Sequence, residues 1–323
     1  MLRRPRLFLS DLIFRMGTGA FALVLVLIVM GIGVVLWQES HLAIQKFGFA
    51  FWRTSQWNPV MGEFGAFPFI WGTLYSSILA LFIAGPIAIG IAIFLSELCP
   101  LRLRQPLVFL TELLAAIPSI VYGLWGVFVL IPIVRSLQTS LPDWIRAIPA
   151  FSGPPVGVSM LSAGLILAIM VIPFSSAVAR EVLKSVPASQ REAAYALGST
   201  RWEATRAALH YGRAGIIGAL MLGFGRALGE TMAVTMVIGN TPKALASVFA
   251  PQHTMAAVIA NEFVEASDQL HADALVEIGL VLFVITLLVN IGSRMLIWNM
   301  TRQRSGSRRP AAATPAASVP GAA

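Results

Sequence analysis

Arg226 and Glu230 lie four residues apart in Gly223-Phe224-Gly225-Arg226-Ala227-Leu228-Gly229-Glu230-Thr231, inside an otherwise apolar run from about 214 to 238. Such a run is long enough to cross a bilayer, and a full charge within it costs about 2.5–3.5 kcal/mol on insertion scales. Charges retained at that cost face a bundle interior or a pathway. A guanidinium offers a rigid fork of donors and does not lose its proton, which suits it to hold the oxygens of a passing anion. The four-residue spacing puts Glu230 on the same helical face. Glu before the cation is the better order for helix stability, so this pair is not there chiefly for helix propensity. Glu230 is expected to hold Arg226 when the pathway is empty and to weaken retention of a bound dianion; a purely structural pair is the competing reading. Thr231 and Thr235 could add hydroxyl donors. Gly223, Gly225 and Gly229 keep the helix surface thin, and Gly225 with Gly229 matches a small-xxx-small packing pattern.

A second constellation lies at 187–206, Pro-Ala-Ser-Gln-Arg-Glu-Ala-Ala-Tyr-Ala-Leu-Gly-Ser-Thr-Arg-Trp-Glu-Ala-Thr-Arg. Ser189 with Glu192, and Thr200 with Glu203, have capping-box spacing. Gly198 between them is suited to a left-handed helix stop. The expectation is a short, small-sided helix, a sharp turn and a second helix. Small side chains let such a helix seat closely in another protein's groove, whereas the plain alternative is a well-capped connecting loop.

The elements that must position these residues are apolar spans. The chain has 323 residues, 57% hydrophobic and 12% charged, which is about half the charge of a soluble domain. Six stretches reach spanning length, at about 19–37, 69–96, 106–134, 160–178, 215–238 and 274–298. The third is over-long and carries Pro118 and Pro132, so a kink or tilt is expected there. The fold class is therefore an all-α polytopic membrane bundle. Arg226 falls about 12 residues past the cytoplasmic start of its span, or ~18 Å, close to mid-bilayer. The net charge of +8 does not point to nucleic acid, because 17 of the 23 Lys and Arg residues fall on one side of this topology. They precede span one, separate spans two and three (Arg102, Arg104), separate spans four and five (Arg180, Lys184, Arg191, Arg201, Arg206, Arg213) and follow span six. Lys46, Arg53, Arg135, Arg146 and Lys243 fall on the other. The positive-inside bias places both termini in the cytoplasm.

The division expected is a cytoplasmic segment at 1–18, a transmembrane domain at 19–300 with a cytoplasmic loop at 180–213, and a disordered Pro/Ala/Ser/Gly tail at 301–323. The first apolar segment reads as a retained span rather than a cleaved signal. The aromatic loop at 38–68 reads as an interfacial belt. The acidic residues of the 239–273 loop, Glu262, Glu265, Asp268 and Asp273, read equally as a docking face or a solvated surface. Glu112 and Glu277 are placed near the cytoplasmic and external ends of their spans, where snorkelling is cheap. Cys99 alone allows no intrachain disulfide, and His41, His210, His253 and His271 lack ligand spacing, so no metal is expected.

The order Glu192-Ala193-Ala194-x-x-x-Gly198 before the penultimate span resembles the coupling-loop signature of bacterial ABC-importer permeases. A proline common in that family shortly after the motif is absent from Leu209-His210-Tyr211. Phe64-Gly65-Ala66-Phe67-Pro68-Phe69-Ile70-Trp71-Gly72-Thr73-Leu74, Ala116-Ile117-Pro118-Ser119-Ile120-Val121-Tyr122-Gly123 and the Arg226 stretch are together similar to the phosphate-specific permeases of the PstC type. The resemblance runs from about residue 10 to 300. It implies a multi-pass subunit of the bacterial cytoplasmic (inner) membrane that carries inorganic phosphate. It also implies a sister permease (PstA-like), an ATPase dimer (PstB-like) that holds ATP-Mg and docks on Glu192, Ala193, Ala194 and Gly198, and an external phosphate-binding protein (PstS-like). The substrate pathway it implies includes Arg226, Glu230 and Thr231. No Gly-x4-Gly-Lys-Ser/Thr loop occurs, so the chain is not expected to hydrolyse ATP or to hold a cofactor itself. The rival readings are a permease for sulfate or molybdate, the sister phosphate permease, a membrane-embedded enzyme, for which no nucleophile or metal constellation is found, and a non-transporting scaffold or sensor.

Overall fold

The computed structural model describes residues 9–266 and 268–305, with side chains described from 11 to 300 apart from residue 267. No β-strand occurs among the described residues. In a bilayer each backbone N–H and C=O must find its partner within the protein, and helices satisfy that requirement locally. The chain begins with α1 (Leu9–Glu39), α2 (His41–Phe47) and α3 (Phe67–Ile93), the last continued by a π-helical turn, Phe94–Leu98. Next come α4 (Leu101–Ala116), α5 (Ser119–Trp125), a second π-helical turn at Gly126–Leu130, α6 (Ile131–Ser140) and α7 (Asp143–Arg146). The remaining helices are α8 (Met160–Lys184), α9 (Ala188–Ala196), α10 (Arg201–Leu228), α11 (Met232–Val237), α12 (Met255–Glu262) and α13 (Gln269–Ser305). Six segments are long and apolar enough to cross a membrane: Asp11–Glu39, Phe67–Leu98, Ser119–Ser140, Met160–Lys184, Arg201–Leu228 and Gln269–Met300.

The centre is the packing of α8 against α3 and α10. Small residues make it possible. Ala80, Ala84, Ala88 and Ala92 recur every fourth residue on α3 and are fully buried. Gly164 of α8 lies under Leu79, and Gly215 of α10 lies under Val182, so that a Cβ at either would overlap the neighbour. Within a membrane such close approach replaces the hydrophobic drive between helices, since lipid is as apolar as leucine. α1 lies at the edge, resting on α13 where Gly33 faces Phe283.

Two spans depart from their sequence-predicted form. The over-long third span is two helices. Ile117 and Pro118 are extended, with ψ of 129° and 139°, so α4 ends before the crossing segment begins at Ser119. Pro118 has no N–H to give the Leu114 carbonyl, and the Tyr122 hydroxyl donates to it instead at 2.8 Å. The fifth span also breaks. α10 runs unbroken from Arg201 to Leu228, stops at Gly229–Thr231, and resumes as the short α11. Gly123 and Gly126 make room for α11: a Cβ on Gly123 would lie 2.6 Å from Met236 Sδ, and one on Gly126 2.8 Å from Val237 Cγ1.

After α11 the chain stays within the bundle end where α3 and α8 begin instead of leaving it. The indole of Trp71 donates to Leu245 O (3.0 Å) and the Tyr75 hydroxyl to Ala246 O (3.0 Å), one and two turns into α3. Ser159, Met160 and Leu161 at the start of α8 donate to Val237 O, Ala250 O and Val248 O. The Met255 N–H donates to Thr73 Oγ1 at 2.9 Å. Irregular backbone is tolerated at depth where protein supplies its partners.

The 38–68 and 239–273 loops meet in a packed cap rather than an interfacial belt. Phe51 and Phe64 are buried with Met255, Val258, Leu275 and Ile278, although Phe49 remains exposed. Trp57 Nε1 donates to Glu262 Oε2 (2.9 Å), which also lies 3.0 Å from His271 Nε2. Asp273 is buried and accepts from the Leu42 N–H and the Gln269 amide. Two of the four acidic residues of that loop are thus internal acceptors. Glu277 is 3% exposed and does not snorkel to the surface. α13 remains helical through Ser305, past the expected tail boundary at 300; the rest of the expected tail, like residues 1–8 of the expected N-terminal segment, lies outside the described residues.

Candidate functional site

Arg226 occupies the last turn of α10. The carbonyl end of a helix carries partial negative charge, which favours a cation there. The side chain is exposed on this chain, and its Cζ lies 5.8 Å from the centre of the Phe174 ring of α8. A guanidinium over an aromatic face is stabilised without being neutralised. Gly223 sits where a Cβ would overlap Ser175 Oγ, which fixes the approach of α10 to α8 one turn before Arg226.

Glu230 is not on the same helical face. α10 ends at Leu228, and Glu230 lies within the break, its N–H directed at Ala227 O at 3.4 Å. Among the described residues no ion pair within 4 Å joins Arg226 to Glu230. The four-residue rule assumed an uninterrupted helix, and the break cancels it. Thr231 also lies in the break; its hydroxyl donates to Gly229 O (3.4 Å), and its carbonyl accepts from the Thr235 hydroxyl (2.7 Å). Among the described residues nothing comes within 4 Å of a Cβ built on Gly225 or Gly229, so the packing expected of these two is not made there. Arg226, Glu230, Thr231 and Gly229 are thus gathered at one interruption, with the cation free of a carboxylate partner there.

At the opposite end of α10 from Arg226 the turn between α9 and α10 forms as its residues dictate. Gly198 has φ of +80°. Its N–H reaches Tyr195 O (2.9 Å) and the Ser199 N–H reaches Ala194 O (3.1 Å), the paired bonds of a Schellman stop. Thr200 and Glu203 form a complete capping box. The Glu203 carboxylate accepts from the Thr200 N–H (2.7 Å) and from its hydroxyl (2.9 Å). The Ser189–Glu192 box does not form; α9 starts after Pro187, whose φ of −55° and missing N–H suit a helix start. α9 has no buried residue: Glu192 and Ala193 are exposed, Ala194 is half-buried, and Gly198 is exposed. Tyr195, Leu197 and Trp202 beside them are exposed as well.

Two ion pairs that join separate helical segments near this face are not announced by the sequence. Arg180 of α8, 6% exposed, reaches Glu181 (2.8 Å) and Glu112 of α4 (3.4 Å). Arg191 of α9 grips Glu97 of the π-helical turn after α3, with Nη2 2.6 Å from Oε1 and Nε 3.1 Å from Oε2. The partners are 68 and 94 residues apart, so no local spacing announces them.

Residues 88–300 match the family described as binding-protein-dependent transport system inner membrane component. A phosphate transport system permease protein PstC of Mesorhizobium japonicum is 46% identical over 90% of this chain and 91% of that protein. The protein of the same name from Pasteurella multocida is 48% identical over 91% and 93%. A probable PstC of Methanocaldococcus jannaschii is 41% identical over 77% and 81%. Among solved structures, an inward-facing form of the MetNI methionine ABC transporter superposes with a TM-score of 0.55 at 14% identity, covering 72% of this chain and 94% of that one. That likeness supports the fold alone. With a helical bundle of six spans, a cation at a broken span and relatives of this identity along nearly the whole length, the chain belongs to the binding-protein-dependent inner membrane transport components, and within them to the PstC permeases.

Proposed function

We infer that this chain is the permease subunit of an ATP-driven importer of inorganic phosphate, forming half of the translocation pathway. The observation that carries the reading is Arg226, a guanidinium in the interrupted fifth span without a carboxylate partner among the described residues. A permanently charged fork is matched to phosphate oxygens and is held ready by Phe174 and the α10 terminus. Glu230 and Thr231, in the same break, line the route beside it. The naming of the relatives as phosphate permeases supports the substrate over sulfate or molybdate, and supports this chain over the sister permease.

The bare face of α9, with Glu192, Ala193, Ala194 and the Gly198 turn, is the docking surface for a separate PstB-like ATPase that holds ATP-Mg. A PstA-like sister permease completes the pathway, and a PstS-like protein delivers phosphate from outside. This chain contributes no cofactor and no hydrolysis. Both termini lie in the cytoplasm in this reading, which the basic residues around α9 and α10 support.

The test is uptake of labelled phosphate by the assembled complex. Unlabelled phosphate should compete and sulfate at the same concentration should not. Arg226→Gln should abolish uptake while the complex remains at normal abundance. Undiminished uptake by that assembled variant removes Arg226 from the pathway, and equal competition by sulfate removes the phosphate assignment.

A further inference from the structure

Arg191 makes three attachments at once. Its Nε and Nη2 hold the Glu97 carboxylate at 2.6–3.2 Å. Its Nη1 donates to Val186 O and its Nη2 to Leu183 O, each at 2.9 Å. Leu183 lies in the last turn of α8 and Val186 two residues past its end, so Arg191 is fastened to the terminus of that span. Glu97 sits in the turn that ends the α3 span. The Arg191 and Glu97 side chains are only 22% and 13% exposed. One side chain of α9 is therefore bonded to the cytoplasmic ends of two different spans.

α9 needs such an attachment. It buries no residue of its own, and its covalent links are the short Ser185–Pro187 segment on one side and the left-handed Gly198 turn on the other. Within this chain α9 packs against α10 across that turn, and Arg191 is what ties it to α3 and α8. With Arg191 it is joined to α8 and α3, and just above the joint these pack with α10 through Ala92, Ala179, Leu183, Ile216 and Ala219. α10 carries Arg226 at its far end.

We propose that the Arg191–Glu97 pair is the positioning link that makes α9 transmit partner movement to the α3–α8–α10 block, so that it sets how much phosphate moves per ATP rather than whether the ATPase binds. This rests on the docking reading above. Bidentate geometry and shared burial give the pair the stiffness a transmitting contact requires. Networks of this kind change coupling between sites by about 2- to 30-fold when broken.

The experiment uses the complete complex in proteoliposomes and measures bound ATPase, ATP hydrolysis and phosphate taken up. Glu97→Gln should leave ATPase stoichiometry unchanged and hydrolysis within about twofold, while phosphate moved per ATP falls about tenfold. In a Cys99→Ser background, Glu97→Cys with Arg191→Cys should show the same loss, and a short bifunctional thiol tether between the two positions should restore the ratio. An unchanged ratio in Glu97→Gln, a parallel loss of ATPase and uptake, or no recovery on tethering overturns the proposal. Ala193→Arg separates the underlying reading: it should strip the ATPase from the complex, and full retention there refutes docking on α9 whatever the pair does.

Discussion

At the residue scale, two polar side chains answer problems made by the break in the third span and by the membrane. Arg226 is stabilised by the helix end it occupies and by the Phe174 ring, neither of which neutralises it. Tyr122 supplies the donor that Pro118 cannot, closing the Leu114 carbonyl. The Ile117 N–H also reaches that carbonyl at a long 3.4 Å, so removing the hydroxyl leaves the acceptor with its weaker donor alone. Tyr122→Phe should lower stability by about 1 kcal/mol, read as a reduced thermal midpoint of the purified complex, with uptake by the surviving fraction retained. An unchanged midpoint means the carbonyl finds another partner. Glu230 shows the limit of local rules: its spacing from Arg226 was plain, but its geometry depended on a helix that stops two residues earlier.

At the scale of elements, interruptions are what distinguish this bundle from six plain rods. The break at Ile117–Pro118 separates α4 from the third span, and the break at Gly229–Thr231 turns α11 against α5. The second of these depends on glycine at Gly123 and Gly126, where the neighbouring side chains leave no room for a Cβ. Gly126→Val should push α11 off α5 at a cost of about 1–3 kcal/mol and impair phosphate uptake, with the protein still inserted. The measurement is uptake normalised to membrane-resident protein; normal values would show that α11 can be displaced harmlessly. The α9–α10 turn follows its local sequence much more closely, because a left-handed glycine and a capping box need only near neighbours.

At the scale of the whole molecule, one exposed cation in an apolar bundle raises the question of what it faces in the assembly. The reading given to Arg226 requires an aqueous route, not lipid. In a Cys99→Ser background, Arg226→Cys in the assembled complex should react with a small hydrophilic thiol reagent. Failure to react, with a lipid-soluble maleimide reacting instead, would place the side chain against lipid and withdraw the pathway role. The link from Arg191 to Glu97 operates at this scale too, since it joins a surface helix to the block whose opposite end bears Arg226.

The amino-acid sequence alone determined the six spans, their charge asymmetry, the glycine stop with its Thr200–Glu203 box, and the residues gathered around Arg226. Apolar length, basic flanks and caps act over one or two helical turns, so each is legible in a linear string. Tertiary structure decided that the third span is two helices, that α10 ends before Glu230, that the aromatic loop is a packed cap, and that Glu97 meets Arg191. Those outcomes turn on packing space and on donors contributed from segments as far as 231 residues away, which no local pattern encodes.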